Sequence, residues 1–390
     1  MEEWKTYTAS DFCIKVTDGT HDSPKPKDSG HYLITSKHLK DNCIDFSLAY
    51  RISEEDYQKI IKRSNVVQHD ILFSMIGTIG NIVRITAPIV DFAVKNMAIF
   101  KMGGNELKSK WLYYWLQSPS AKEYIASRLA GSTQAYLTLD SIRQYPISSP
   151  SEVEMKKIVD ILQSIDDKIE LNNRINHNLE EQAQIVFDRI FNSDLTNNCL
   201  LSSIVDINPK RTLRKNEVAR CIDMTYLNTA GSFPSGWEFK PYSGGMKFIN
   251  GDTLMARITP CLENGKVAYI NFLDKEETAF GSTEYIVFHA KEGYPNEMFY
   301  FLTRNKAFIE FATKNMNGSS GRQRVSGETI GNYIIPVLSE DDINELKTVS
   351  ESTMKEILKN NLESRVLSEM RNTILPKLMS GELKINDLTC

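Results

Sequence analysis

An internal repeat at an offset of 182 residues constrains the fold of this chain more than any other feature. In the first half, the apolar run at residues 70–76 leads through a glycine-containing turn into a second apolar run at residues 81–85. The same order recurs at residues 252–258 and 266–270, with Asn264 and Gly265 in the turn. Apolar runs separated by glycine turns predict strand, turn and strand. We therefore expect two related globular modules.

The elements that follow each hairpin also occur in the same order. One further strand is predicted in each half, at residues 93–102 and 283–289. Aromatic and leucine residues at helical spacing come next, around Trp111 in the first half and around Phe308 in the second. Each half then has a glycine loop and a short strand that ends at a proline: the loops are residues 131–134 and 318–324, and the prolines are Pro146 and Pro336.

Two segments rich in Glu, Lys, Leu, Ile and Asn, residues 152–191 and 341–379, are predicted to be long helices. Their apolar residues recur by steps of three and four, as in a coiled-coil seam, and a helix of about 40 residues needs a partner to cover such a stripe. The other long helix is the nearest candidate. The residues expected to form the coiled coil or to bind a partner, with Asn172 also in the seam, are Ile158, Leu162, Ile165, Ile169, Ile175, Leu179, Leu358, Leu362, Val366 and Met370. Pro376 is expected to disrupt the last turns of the second helix.

These elements predict an α+β fold in four segments. Residues 1–150 form the first module, a mixed β-sheet with helices, and residues 151–195 form a central helix. Residues 196–338 form the second module, and residues 339–390 form a C-terminal helix and tail. With 390 residues, the chain is long enough for each module to bury its own core.

The charge of the chain is divided unevenly between these segments. The net charge is −4, but each module carries +2, whereas the central and C-terminal helical segments carry −5 and −3. Positive charge on the modules is weak support for nucleic-acid binding. The first residues are acidic, no apolar run is long enough to span a bilayer, and the six cysteines have no paired spacing. We expect a cytoplasmic protein with reduced thiols.

Motifs for catalysis and for metal binding are missing from the sequence. Asn208-Pro209-Lys210 lacks the second proline and the aromatic residue of a DNA methyltransferase motif. Gly265-Lys266 lacks the first glycine and the hydroxyl residue of a phosphate-binding loop. The Glu-Leu-Lys triplets at 106–108 and 345–347 are too common to indicate a nuclease, and the six histidines lack zinc-ligand spacing. We expect a non-catalytic chain that holds no metal or cofactor.

Polar and basic loops of the modules are the candidates for DNA contact. A polar loop rich in Gly and Pro, residues 15–27, opens the first module, and the loops after the aromatic helices carry side chains that can hydrogen-bond bases. The alternative is that these loops only connect strands, and the turns at 77–81 and 263–265 are most simply structural. The candidate DNA-binding residues are Thr17, Asp18, Thr20, His21, Lys25, Lys27, Lys37, Thr133, Gln134, Arg257, Arg322, Gln323 and Arg324.

Taken together, these motifs resemble the specificity subunit of type I restriction-modification systems. The first-module pattern is carried by residues 70–72 and by Gly77-Thr78-Ile79-Gly80, followed by Gly131-Ser132-Thr133-Gln134. The helix at 155–169 and the tail Ile374-Leu375-Pro376-Lys377-Leu378 are typical of the family. The resemblance covers nearly the whole chain, although residues 258–265 replace the shorter glycine turn in the second module.

The resemblance implies two target-recognition domains related by pseudo-two-fold symmetry and separated by two long helices packed as an antiparallel coiled coil. Each domain would read one half of a split sequence in double-stranded DNA. Methyltransferase (modification) subunits would dock on the helices, and a restriction subunit would complete the complex. S-adenosylmethionine, ATP and Mg²⁺ would bind those partners and not this chain. Two alternatives stay open: a helical scaffold or dimerisation protein without sequence-specific DNA binding, and a stand-alone DNA-modifying enzyme with an unrecognised site.

Overall fold

The computed structural model describes residues 4–40, 42–131, 135–192, 197–319 and 321–384. The chain divides into two compact units: unit 1 comprises Met1–Asp166 and Ser368–Cys390, and unit 2 comprises Asp167–Leu367. Each long helix is therefore shared between the units. The sequence instead predicts the two long helices as segments of their own, outside the modules. Among the described residues, no helix is both long and apolar enough to cross a membrane.

Unit 1 is built from short strands and short helices together with its parts of the two long helices. Its strands are β1 (Lys5–Thr8), β2 (Lys15–Asp18), β3 (His31–Ile34), β4 (Leu39–Lys40), β5 (Cys43–Ile44), β6 (Arg51–Ile52), β7 (Ile71–Ser74), β8 (Ile82–Arg84), β9 (Phe92–Val94), β10 (Met97–Lys101) and β11 (Pro146–Ser149). Its short helices are α1 (Ala9–Phe12), α2 (Glu54–Ser64), α3 (Glu106–Trp115), α4 (Pro119–Ser127) and α5 (Leu139–Arg143), with a 3₁₀ turn at Ser36–His38.

The central sheet of unit 1 has the strand order β2, β10, β7, β8, and all of its pairs are antiparallel. The strands β7 and β8 are the hairpin that the repeat predicts. A second sheet has the order β6, β3, β9, in which β3 and β9 are parallel. The first and last strands of the unit, β1 and β11, pair with each other and so bring its two ends together.

The strand predicted at residues 93–102 is in fact two strands that lie in different sheets. β9 belongs to the second sheet and β10 to the central sheet. Asn96, between them, has a φ of 53°. Asparagine tolerates this left-handed conformation better than most residues, and the chain can change sheets there. The apolar pattern conceals the break because both strands are buried on both faces.

The aromatic stretch predicted as one helix also forms two, α3 and α4. Ser118 caps the second helix by accepting a hydrogen bond from the backbone of Ala121, and Pro119 occupies its first position. Trp111 and Trp115 of α3 are buried, and their indole Nε1 atoms donate to carbonyl oxygens of β11 at 3.0 and 2.9 Å. These bonds satisfy both indoles and attach α3 to the strand that closes the unit.

Unit 2 contains a similar but smaller set of elements. Its strands are β12 (Asn198–Leu200), β13 (Val205–Ile207), β14 (Val218–Ile222), β15 (Glu238–Pro241), β16 (Lys247–Phe248), β17 (Thr253–Ala256), β18 (Val267–Tyr269), β19 (Ala279–Gly281), β20 (Tyr285–Ala290) and β21 (Ile334–Pro336). Its short helices are α7 (Met298–Leu302), α8 (Lys306–Lys314) and α9 (Gly327–Gly331), with 3₁₀ turns at Leu201–Ser203 and Met224–Tyr226. The two long helices are α6 (Glu152–Phe191) and α10 (Glu340–Ser380).

The topology of unit 2 repeats that of unit 1. Its central sheet has the order β13, β20, β17, β18, which matches β2, β10, β7, β8 strand for strand. The parallel pair of β14 and β19 corresponds to β3 and β9, and the closing pair of β12 and β21 corresponds to β1 and β11. The predicted repeat and the mixed α+β fold are thus confirmed.

The two halves share the tight turn that begins the strongest repeat. Asp70 and Asp252 are fully buried, and each accepts a hydrogen bond from the backbone N–H three residues earlier, at 2.9 and 2.8 Å. The preceding residues, His69 and Gly251, both have a left-handed backbone, with φ of 70° and 91°. The aspartate at the start of each repeated strand is therefore a structural cap for the turn.

Within unit 2 the long helices pack antiparallel around buried asparagines. Asn172 of α6 donates to the carboxylate of Glu363 at 2.8 Å, whereas Arg189, nearer the end of α6, pairs with Glu345, nearer the start of α10. Asn176 accepts a hydrogen bond of 2.9 Å from Asn360. The antiparallel arrangement implied by the resemblance is confirmed. In unit 1, the start of α6 and the end of α10 contribute to a single hydrophobic core, through Met155, Ile158, Leu162, Leu375, Leu378 and Met379.

The helical seam departs from the predicted one after Asn172. Ile158, Leu162 and Ile165 are buried and Ile169, Leu179 and Leu358 are partly buried, but Ile175 is 36% exposed. Alternating steps of four and three from Ile158 reach Asn176, which is buried, whereas Ile175 requires two successive steps of three. Leu362, Val366 and Met370 are also exposed, so their prediction as seam residues was wrong, and a role in partner binding stays a prediction. The expected disruption at Pro376 was wrong too, because α10 continues to Ser380.

Candidate nucleic-acid interface

The predicted DNA-binding residues of unit 1 divide into buried and exposed groups. The prediction of an irregular loop from residue 15 onwards was wrong at its start, because residues 15–18 form β2. Thr17 and Asp18 are buried in this strand, and Thr20 just after it is buried as well. The exposed residues are His21, Lys25 and Lys27 in the loop that follows β2, and Lys37 in the 3₁₀ turn after β3. The exposed lysines can reach phosphates, whereas the buried carboxylate of Asp18 bonds to other residues of the protein.

Asp18 organises the start of this loop. Its carboxylate binds Nε2 of His21 at 2.8 Å and the guanidinium of Arg63 at the end of α2. The other ring nitrogen of His21 contacts the side-chain oxygen of Asn96 at 2.8 Å. The loop after β2 is therefore tied to α2 and to the junction of β9 and β10. Asn96 carries a turn signal in the sequence, but no local pattern indicates Arg63.

The glycine loop of unit 1 is closed by Tyr136. The backbone groups of Tyr136 and Ala130 exchange two hydrogen bonds of 2.9 Å, and Leu137 donates to the carbonyl of Met75 after β7. Tyr136 also forms an isolated bridge with Ile76. Two residues predicted to contact DNA from this loop, Thr133 and Gln134, lie outside the described residues.

Unit 2 has an equivalent loop, which we call the arginine loop (residues 317–324, of which Ser320 lies outside the described residues). Arg324 and Asn317 exchange two backbone hydrogen bonds of 2.9 Å, and Val325 donates to the carbonyl of Arg257 after β17. Arg324 therefore occupies the place of Tyr136. Arg322 is exposed and Gln323 is partly buried, with its carbonyl accepting from the backbone of Thr259 at 3.0 Å.

Glu284 binds two of the arginines that the sequence suggested as DNA-binding residues. Arg324 donates to it through Nε at 2.9 and 3.0 Å and through Nη2 at 2.7 Å, and Arg257 donates through Nε at 3.2 Å. The hydrogen bonds from Arg324, aided by Arg257, hold the pKa of Glu284 below its ordinary value in spite of partial burial. The structure thus brings Arg257, Arg322, Gln323 and Arg324 together at one loop, but it engages two of the arginines internally. No pattern in the sequence indicates Glu284.

The described residues contain no cluster of three or more His, Cys, Asp or Glu side chains placed to hold a metal ion. Their five cysteines are free thiols. The chemistry that these surfaces offer is hydrogen bonding by lysine, arginine, histidine and amide groups. Such donors suit the phosphates and base edges of DNA.

Comparison with known proteins points in one direction. Residues 1–181 match the family described as type I restriction modification DNA specificity domain. The HindI specificity subunit of Haemophilus influenzae is 21% identical over 73% of this chain and 80% of its own length. The EcoAI specificity subunit of Escherichia coli is 31% identical, over 35% of this chain and 24% of its own length. The fold is similar to the crystal structure of an S subunit from M. genitalium, with a TM-score of 0.58, 15% identity and 96% of both chains covered.

Proposed function

The chain belongs to the specificity subunits of type I restriction-modification systems, and we propose that its two units each read one half of a bipartite DNA target. Specificity subunits are the non-catalytic DNA-recognition members of methyltransferase and endonuclease complexes, so this chain is not itself an enzyme. In the proposed complex, modification subunits methylate the target and a restriction subunit cuts unmodified DNA. We place this complex in the cytoplasm, where invading DNA arrives.

The observation that supports the proposal most strongly is that both units have the same central-sheet topology and carry a loop at the equivalent position. Tyr136 and Arg324 close equivalent loops against the ends of equivalent strands, β7 and β17. The two loops have different sequences on a common frame. Two frames with different loops are what the reading of two different half-sites requires, since specificity arises from the side chains that reach base edges.

Exposed apolar side chains on the long helices support the docking of partner subunits. Leu171 and Ile175 lie one turn apart on α6, and Leu362 and Val366 lie one turn apart on α10. Val366 is 63% and Leu362 42% exposed, so the two form an apolar patch on α10, and such patches mark interaction sites when they are part of a larger surface. We propose that a methyltransferase subunit covers these residues.

The test is to co-express the chain with the methyltransferase subunit encoded beside it and to map adenine methylation across the genome by single-molecule sequencing. A split motif with a fixed gap is the expected result. A stable complex that methylates nothing would favour a scaffold role. Methylation by the chain purified alone would favour a stand-alone enzyme.

The docking proposal is tested by Val366→Glu, with Lys355→Glu as the matched control on an exposed position of the same helix. Val366→Glu places a charge in the proposed interface and should abolish co-purification of the methyltransferase subunit, whereas Lys355→Glu should retain it. Circular dichroism of the free chains should be the same for both. Full retention of the complex by Val366→Glu would contradict this surface.

A further inference from the structure

We propose that Glu284 is a positioning residue for DNA reading by unit 2, which holds the arginine loop so that Arg322 is presented in a fixed place. The inference rests on the proposed function and deepens it. It separates the residue that contacts DNA from the residues that support it. It also replaces the expectation that Arg257, Arg322 and Arg324 all contact DNA.

Arg324 connects Glu284 to the loop through both sides of its guanidinium group. Nε and Nη2 donate to the carboxylate, and Nη1 donates to the backbone carbonyl of Arg322 at 3.2 Å. This planar fork leaves Arg324 with few donors for a base. Arg322 has the opposite arrangement, since its backbone is held while its side chain is exposed.

Glu284 is placed where it can fix the loop to the central sheet. It directly precedes β20, and its backbone carbonyl accepts from Arg257, the residue that follows β17. Its carboxylate lies between the guanidinium groups of Arg257 and Arg324 and is 23% exposed, so solvent screens these contacts only in part. Without that negative charge, the two guanidinium groups would repel each other and release the carbonyl of Arg322.

Among the described residues, this support is found in unit 2 only. Tyr136 stands at the equivalent place in unit 1, where the described contacts that close its loop are backbone hydrogen bonds. Loss of the Glu284 carboxylate should therefore change the reading of one half-site and leave the other half-site unaffected. A general structural role would not give such a one-sided effect.

The experiment uses the full chain in complex with its methyltransferase subunit and compares Glu284→Gln with Glu292→Gln. Both variants remove one carboxylate, but Glu292 is exposed and lies beyond the other end of β20. Hydrogen exchange of the free chain measures the loop, through the amides of Asn317 and Arg324. Methylation of DNA substrates with single-base changes in either half-site measures discrimination between bases.

Glu284→Gln should speed exchange of these two amides by about tenfold. It should also reduce discrimination in one half-site by about tenfold, which is within the range that one bidentate arginine contact provides. Discrimination in the other half-site and the gap should stay unchanged, and Glu292→Gln should match the native chain. Arg324→Lys, which keeps the charge but loses the fork, should resemble Glu284→Gln. Arg322→Ala should lose the same discrimination without faster exchange.

Three results would overturn the inference. Unchanged exchange in Glu284→Gln would show that the carboxylate does not hold the loop. Faster exchange with unchanged discrimination would show that the loop does not read DNA. Loss of discrimination in both half-sites would indicate a general defect. If the native complex shows no half-site preference at all, the proposed function itself fails, which the native control reveals by itself.

Discussion

The buried asparagines between the long helices allow a quantitative test of how unit 2 is held together. Asn176 and Asn360 are 8% and 5% exposed, and the Nδ2 of Asn360 donates to the Oδ1 of Asn176 at 2.9 Å. A buried polar pair in a helical seam fixes the register of the two helices, because no other alignment satisfies both groups. We predict that Asn176→Leu and Asn360→Leu are strongly coupled.

Asn176→Leu leaves the Nδ2 of Asn360 without its acceptor, and Asn360→Leu leaves the Oδ1 of Asn176 without its donor, although the Nδ2 of Asn176 still donates to Asn361. Each loss costs about 1–3 kcal/mol of folding free energy. The double change removes both groups and lets two leucines pack, so its cost should be at least about 1 kcal/mol less than the sum of the single changes. Urea denaturation followed by circular dichroism measures the free energies of unfolding. Asn178→Leu, the same exchange at an exposed position of α6, should change stability by less than about 0.5 kcal/mol.

An additive result would refute this reasoning. If the cost of the double variant equals the sum of the single costs within about 0.5 kcal/mol, the two asparagines do not depend on each other. This pair would then not fix the register of the two helices.

Three further predictions concern the turn and the sheets. Asp70→Asn should lower stability by about 3 kcal/mol in urea denaturation, because it leaves the Lys101 ammonium group without its counter-charge; a cost under about 1 kcal/mol would contradict this. Gly251→Ala should cost about 1–2 kcal/mol in the same assay, since its φ is 91°, and no measurable loss would refute the strain. Burial lowers the pKa of His31, but its hydrogen bonds to Glu54 and Asp91 outweigh burial and raise the pKa. These bonds therefore stabilise the fold fully below the unfolded pKa of about 6.5, and this stabilisation is lost as pH rises through the folded pKa. His31→Gln should therefore lower the thermal midpoint near pH 5 but little near pH 9, and an equal loss at both would oppose this view.

The repeated hairpin was predictable because its strands are buried and follow glycine turns, which are both local signals. The break at Asn96 was not, since two buried strands in succession resemble one long strand. Pro376 shows the limit of local propensity. Leu375, Leu378 and Met379 are buried around it, and this packing sustains a helix that proline alone would interrupt.

The types of residue in the candidate interface were predictable from the sequence, but the contacts between these residues were not. The exposed Lys25 and Lys27 lie where a loop rich in Gly and Pro indicated. The burial of Asp18 and the attachment of Arg324 to Glu284 depend on contacts between residues 45 and 40 positions apart. A single sequence contains no pattern that indicates such pairs. Polar residues that bond within the protein therefore cannot be distinguished, from sequence, from those that are available to bind a ligand.

The division of the chain gives the two units a fixed order of completion during synthesis. Unit 2 is continuous, whereas unit 1 needs Ser368–Cys390, which the ribosome makes after Leu367. Leu375, Leu378 and Met379 belong to the same core as Leu162, so this core stays open at one side until translation has passed all of unit 2. A chain that ends between Leu367 and Leu375 would contain all of unit 2 but an unfinished unit 1, the unit that cellular proteases would attack first.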